Sequence, residues 1–153
     1  MPVIVIGADT DCGLAVTKAL ANGSGEVRAF VSNPAFAQEL RDLGVKVAVG
    51  DVSDSSHVEG AARRAHSAVV IAEAGRDSRE RSFAASVDSL IEAWATGLKD
   101  AGVQRIIWAG PDQLPPAPID RAAGEAVAID VRDHDHDAVA AEVIRLDGLA
   151  RLD

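Results

Sequence analysis

The sequence predicts a three-layer α/β fold, doubly wound around a mostly parallel sheet of about six strands, in a single domain over residues 1–153. Three observations predict it. Apolar runs of strand length alternate with helix-length amphipathic segments along the whole chain. The first run, Val3–Ile6, passes directly into a tight glycine turn and then a helix. The chain is long enough for one substantial core and too short for a second domain.

The elements follow in order. Val3–Ile6 is the first strand, and a helix runs from about Leu14 to Leu20. The turn residues Asn22-Gly23-Ser24-Gly25 introduce the second strand, Val27–Val31. Asn33 caps a helix that has Pro34 at its first position and Gly44 as its stop, with Phe36, Leu40 and Leu43 on one face. The third strand, Val45–Val49, ends at Gly50-Asp51. Ser53 or Asp54 starts a helix to about His66, and Ala68–Ala72 is the fourth strand.

A polar loop from Gly75 to Arg81 leads into the longest helix. Phe83, Val87, Leu90, Ile91, Trp94 and Leu98 form its apolar stripe, and Gly102 ends it. The fifth strand is Gln104–Ala109. Leu114-Pro115-Pro116-Ala117-Pro118 reads as a stiff extended segment, followed by a short helix near Asp120 to Ala123. Ala126–Val131 is the sixth strand and Asp135–Leu146 the terminal helix. The expected strand order is 3-2-1-4-5-6, with a ligand crevice where the first and fourth strands diverge.

Charge and composition narrow the function. Asp and Glu number 24 against 15 Lys and Arg, a formal net charge of −9. A nucleic-acid surface needs clustered cations, and an anionic membrane repels such a chain. No apolar stretch is long enough to span a bilayer, and the N-terminus lacks the basic flank of a signal peptide. A lone cysteine makes no internal disulfide, which fits a reducing cytoplasm.

The segment Gly7-Ala8-Asp9-Thr10-Asp11-Cys12-Gly13 is where chemistry is expected. A strand, a glycine turn and a helix N-terminus aim backbone amides at a pyrophosphate. Thr10 stands where the fingerprint calls for a small residue, and Asp9 and Asp11 flank it. A carboxylate about 4 Å from a phosphate charge costs roughly 1 kcal/mol in water and roughly 4 kcal/mol at a surface-like dielectric. A helix N-terminus returns only about 0.3–1 kcal/mol. Binding therefore requires both aspartates to turn away, capping the helix themselves.

Together these segments resemble extended and atypical short-chain dehydrogenases, including NmrA-like regulators and sugar-nucleotide epimerases. Beside the glycine loop, the matching segments are Val27–Pro34, Leu43–Val52, Ala101–Ile107 and Ile129–Asp133, in the family's order and over most of the chain. The resemblance implies a Rossmann-like domain that binds NAD or NADP. The contacts implied are Gly7, Ala8, Thr10, Asp11, Cys12 and Gly13 in the loop, Ser32 and Asn33 after strand two, Asp51 and Val52 after strand three, Ala72 and Ala109 at strands four and five.

Asp51 matches a family residue near the adenine amino group; a turn or helix-capping aspartate is the other reading. An acid after strand two would favour NAD and a base NADP, but Ser32-Asn33 is neither. Arg28 lies at the far end of that strand. Glu73 stands where the family keeps small neutral residues, and reads as a solvated carboxylate. Cys12 lies near a helix N-terminus, where thiols can be activated; the family's usual aliphatic residue there favours a packing thiol.

The family's reductases and epimerases use a Tyr-x-x-x-Lys pair and a Ser or Thr after strand five. This chain has no tyrosine, and Ala109-Gly110 occupies the hydroxyl position. The connection between strands five and six is also short for the family. The resemblance therefore implies a truncated, cofactor-responsive binding or regulatory protein without tyrosine-dependent catalysis. An oxidoreductase or epimerase using another acid is an alternative, with His57, His66, Asp112 and Asp133 as loose candidates. A nucleotide-free scaffold for protein contacts is a third, its dimer face drawn from the Phe83/Trp94 helix. Asp133-His134-Asp135-His136-Asp137 could suggest a metal, but capping carboxylates at a helix entry explain it better. No metal is expected. Arg63-Arg64 and the arginines from Arg76 to Arg81 read as solvated, although Arg76 could reach a phosphate if its loop folds over the sheet.

Overall fold

Val3–Ile6 forms β1, an inner strand of a six-stranded, wholly parallel sheet. The structure, a computed structural model, describes residues 1–76 and 84–152. After β1 come α1 (Asp11–Ala21), β2 (Val27–Val31), α2 (Ala37–Asp42), β3 (Lys46–Val49), α3 (Ser55–Ala62) and β4 (Ser67–Ile71). The second half adds α4 (Val87–Ala101), β5 (Arg105–Gly110), α5 (Ala117–Asp120), β6 (Glu125–Asp130) and α6 (His136–Gly148). Short 3-10 turns follow β2, β4 and β6.

The strand order is β3-β2-β1-β4-β5-β6, as the sequence predicts. Winding reverses between β1 and β4, which places a crevice outside their carboxyl ends. The period-two alternation of each strand divides the core. Val3 and Val5 join Val16 and Leu20 of α1 and Val139 and Val143 of α6 on one face. Ile4 and Ile6 join Val58 of α3 and Leu90, Trp94 and Leu98 of α4 on the other.

Local chemistry explains the ends of the elements. Thr10, Asp54, Ser86 and Asp135 each cap a helix through a side-chain oxygen, satisfying amides that have no intrahelical acceptor. Gly97 brings α3 and α4 together, because a Cβ there would lie 2.7 Å from the Ser55 carbonyl oxygen. The buried stripe of α4 is thus committed to the sheet and to α3.

Several boundaries depart from expectation. The segment after Asn33 divides into a 3-10 turn, Pro34–Phe36, and a short α2. Leu43 falls at its C-cap and is 47% exposed instead of sharing the buried face with Leu40. Helix α3 stops at Ala62, and Arg64 takes a left-handed φ of 68° to turn the chain before β4. Val87, expected on the buried stripe, opens α4 and is 48% exposed. Helix α5 begins within the proline segment rather than after it, since proline is tolerated in a first turn. Phe83 and the loop residues 77–81 lie outside the described residues.

Candidate functional site

The glycine turn is built from three positions that fix one another. Gly7 has φ +89°, and a Cβ on it would lie 2.7 Å from the Ala74 Cβ, so the 3-10 turn after β4 presses directly on the glycine turn. A Cβ on Gly13 would lie 2.0 Å from the Gly7 carbonyl oxygen. Between them the Thr10 hydroxyl donates to that carbonyl at 2.7 Å and accepts from the Gly13 amide at 2.9 Å. Thr10 is therefore the helix cap, a role the flanking aspartates were expected to fill.

The first intrahelical bond runs from the Leu14 amide to the Thr10 carbonyl. With Gly13 held by Thr10, the amides of Asp11 and Cys12 are the two first-turn donors without an acceptor among the described residues. They are a fit for an anion: two open N–H groups on a positive helix end, beside glycines where any side chain would collide.

Asp9 does turn away, but not to the helix. Its Oδ2 accepts from the Ser32 and Asn33 amides, each at 2.9 Å, and so ties the glycine turn to the end of β2. Asp11 is exposed in the first turn of α1.

A cleft of about 410 Å³ opens beside the turn at the carboxyl edge of β4, β5 and β6. Cys12, Ala72, Ala109 and Gly110 form part of its wall, with Glu73, Arg76, Arg132, His134 and His136 around it. Burial, then the Glu73 charge, pushes the Cys12 thiol up to about 11, so it is a packing group and not an activated nucleophile. Arg132 is committed to Asp130 through two bonds, at 2.9 and 2.7 Å. That pairing, ahead of the Arg132 amide, holds the Asp130 carboxyl down to about 2. The His134 Nδ1 lies 2.9 Å from the Asp130 carbonyl oxygen.

The profile of a family described as NAD(P)H-binding matches residues 7–145, from the first glycine of the turn into the last helix. The chain belongs to that NAD(P)H-binding family. No curated protein matches its sequence. Among solved structures it is similar to an NADPH-dependent quinone oxidoreductase of Escherichia coli complexed with NADPH, with 20% identity and a TM-score of 0.59 over 95% of this chain and 44% of that one. A Citrobacter sp. triphenylmethane reductase gives 20% identity and a TM-score of 0.61, over 97% of this chain and 46% of that one. A short-chain dehydrogenase/reductase of Veillonella parvula in complex with NADP gives 12% identity and a TM-score of 0.68, over 98% and 88%. The chain thus spans less than half the length of the first two. At these identities the likeness establishes the fold, which agrees with the short-chain dehydrogenase resemblance.

Within this family member the expected site residues divide into groups. Gly7, Ala8, Thr10, Asp11 and Gly13 make the turn, and Ser32 and Asn33 join it through Asp9. Cys12, Ala72 and Ala109 line the neighbouring cleft. Asp51 follows β3 and accepts from the Ser53 amide and hydroxyl, making the turn that precedes α3, while Asp54 is the helix cap. The Val52 side chain is buried in the α3/α4 core.

The loose acid candidates separate further. His66 precedes β4, with its amide on the Pro2 carbonyl, and so stands at the opposite edge of the sheet. His57 packs edge-on against Phe30 and closes over Gly50, where a Cβ would lie 2.1 Å from its ring. Asp112 and Asp133 follow β5 and β6 at the carboxyl edge and are exposed. Arg28 is held at the amino end by Glu26 and the Ala61 and Arg63 carbonyls. Asp135 caps α6 through the Ala138 amide, as expected of a helix entry. Sequence reasoning missed the reach of Asp9 to β2 and the place of Arg132, His134 and His136 beside Cys12. The second has a signal: in a parallel sheet every strand's exit loop gathers at one edge. Among the described residues no helix is long and apolar enough to cross a membrane.

Proposed function

We propose that this domain binds an NAD(P)(H) dinucleotide and works through that binding, as a cofactor-responsive binding or regulatory protein without tyrosine-dependent catalysis. The observation that carries the reading is the glycine turn. Gly7 and Gly13 leave no room for side chains, and the Asp11 and Cys12 amides are open donors at the N-terminus of α1. The displacement of Asp9 toward β2 removes one of the two charges that would oppose a pyrophosphate. Ser32, Asn33, Asp51 and the Val52 backbone are the proposed adenosine side; Cys12, Ala72 and Ala109 are the proposed nicotinamide side. A single buried cysteine suits a reducing, cytoplasmic setting.

A second reading draws on the cleft. A bound reduced nicotinamide supplies hydride, and an acceptor that takes hydride without a simultaneous proton needs no phenol. A quinone or a triphenylmethane dye is such an acceptor, in keeping with two structural neighbours, a quinone oxidoreductase and a triphenylmethane reductase. Arg76 and the two histidines around the cleft would favour an acceptor that gains negative charge.

Titration with NAD, NADH, NADP and NADPH, followed by melting temperature and by energy transfer from Trp94 and Trp108 to the reduced forms, tests both. Saturable binding without oxidation of NADH or NADPH by carbonyls, quinones or dyes is the expected result. Acceptor-dependent oxidation would replace it with the second reading. No binding up to about millimolar cofactor, a gain of under about 4 kcal/mol at the standard state, would overturn both.

A further inference from the structure

We propose that Asp9 makes this site prefer NAD(H) over NADP(H), acting as the acidic residue that the end of β2 lacks. The inference rests on reading the glycine turn as a dinucleotide site and adds to it the choice between the two cofactors.

In a doubly wound sheet the adenosine ribose is read at the end of the second strand. An acid there accepts from the ribose 2′-hydroxyl, and a base accommodates a 2′-phosphate. Here the chain after β2 runs Ser32-Asn33-Pro34-Ala35-Phe36-Ala37, with no acid and no base. What that segment offers is backbone: the consecutive Ser32 and Asn33 amides form a small concave pair of donors, a natural seat for an anion. The seat is filled from within the molecule. Asp9, 23 and 24 residues earlier, gives one oxygen to both amides at 2.9 Å.

Two consequences follow for a ribose at that place. A 2′-phosphate finds its backbone donors already taken by a carboxylate, and meets that charge with no Lys or Arg in the following segment to offset it. The cations of β2 and β3 lie at the amino ends of those strands, away from Ser32 and Asn33, where Arg28 and Lys46 both pair with Glu26. A 2′-hydroxyl, by contrast, finds an acceptor, because Oδ1 of Asp9 has no hydrogen-bond partner among the described residues and an ionised carboxylate only accepts. Asp9 is half-buried, so its charge is only partly screened.

The test compares NADH with NADPH on the full chain, by calorimetry and tryptophan energy transfer, in wild type, Asp9→Asn and Asp9→Ala. Wild type is expected to bind NADH at least tenfold more tightly than NADPH. Asp9→Asn keeps an acceptor for the two amides without the charge and should shrink that ratio several-fold. Asp9→Ala opens both amides and should raise the affinity for 2′,5′-ADP above that for 5′-AMP. Equal affinities in wild type, a preference for NADPH, or a ratio unchanged in both variants would overturn the inference and leave the dinucleotide site standing. Absence of binding by either dinucleotide in all three proteins would overturn the site itself, and this inference with it. Should a variant fail to fold, wild type titrated with 5′-AMP and 2′,5′-ADP still decides, since comparable affinities refute the role of Asp9.

Discussion

Arg105 and Glu125 are register partners on the adjacent strands β5 and β6, and both the Nε and Nη2 of Arg105 donate to Glu125 Oε2, at 3.0 and 2.8 Å. The arginine is wholly buried. Its remaining nitrogen, Nη1, donates to the carbonyls of Leu146, Asp147 and Leu149 at the end of α6, and Glu125 Oε1 accepts from the Leu152 amide. One ion pair thus fastens the C-terminal helix to the sheet, at the edge away from the candidate site.

Because the pair is buried on the arginine side, removing one partner strands the other. Glu125→Gln should destabilise the fold and lower the melting temperature, because the buried Arg105 charge loses its counter-ion. Arg105→Met should cost a similar amount through the unpaired carbonyls of α6. Chemical denaturation of each variant checks this, and dinucleotide affinity should be unchanged in both.

Acid should weaken the protein in a defined window. The Glu26 carboxyl is held down by Lys46 and Arg28, that of Glu125 by the Leu152 amide and Arg105, and that of Asp130 to about 2 by Arg132. Folded values below unfolded ones mean that the stability they contribute is fully present above the ordinary values of 3.8 and 4.5, and is lost as pH falls below them, for Asp130 toward about 2. Melting temperature should be level above about pH 5 and decline below it. Lys46 and Arg132 are exposed, so their share of the decline should be shallower in about 1 M salt, where the Debye length is about 3 Å.

Cys12 should resist modification. A thiol raised from 9.0 to about 11 by burial and Glu73 carries roughly a hundredfold less thiolate at about pH 8 than a free cysteine. Alkylation of the native protein should be slower by at least that factor and recover on unfolding. Fast labelling of the folded chain would contradict the packing assignment.

The glycine turn should tolerate no added carbon. Gly13→Ala places a methyl 2.0 Å from the Gly7 carbonyl oxygen and should cost about 2–3 kcal/mol. Gly60→Ala, inside α3 with open space around it, should instead stabilise by about 0.5–1 kcal/mol. Thr10→Gly loses only a few tenths of a kcal/mol of capping, releases the Gly13 amide, and should strengthen dinucleotide binding. Equal melting temperatures for the two alanine variants would refute the close approach.

Most of the architecture was legible because it is locally encoded. The Asn33-Pro34 start, the Gly102 stop and the apolar runs of β1, β2 and β4 each carry their signal within a few residues. Leu43 and Val87 were misplaced because apolar spacing does not reveal where a helix ends. Arg105 was invisible as a core residue, since a charged side chain at the start of a strand reads as solvated until its partners are known. In the candidate site, Gly7 and Gly13 declared themselves, whereas the uses of Asp9 and Thr10 did not.

By itself the sequence determined the winding of the chain, the sheet order and the absence of tyrosine from these 153 residues, because periodicity, turn residues and residue type are properties of the chain alone. Only the tertiary structure decided which oxygen takes which amide. Asp9 finds Ser32 and Asn33 once β2 lies parallel beside β1, and Glu125 finds Arg105 once β6 lies beside β5. Strand pairing converts residues more than twenty apart into hydrogen-bonding neighbours, and no local pattern records that distance.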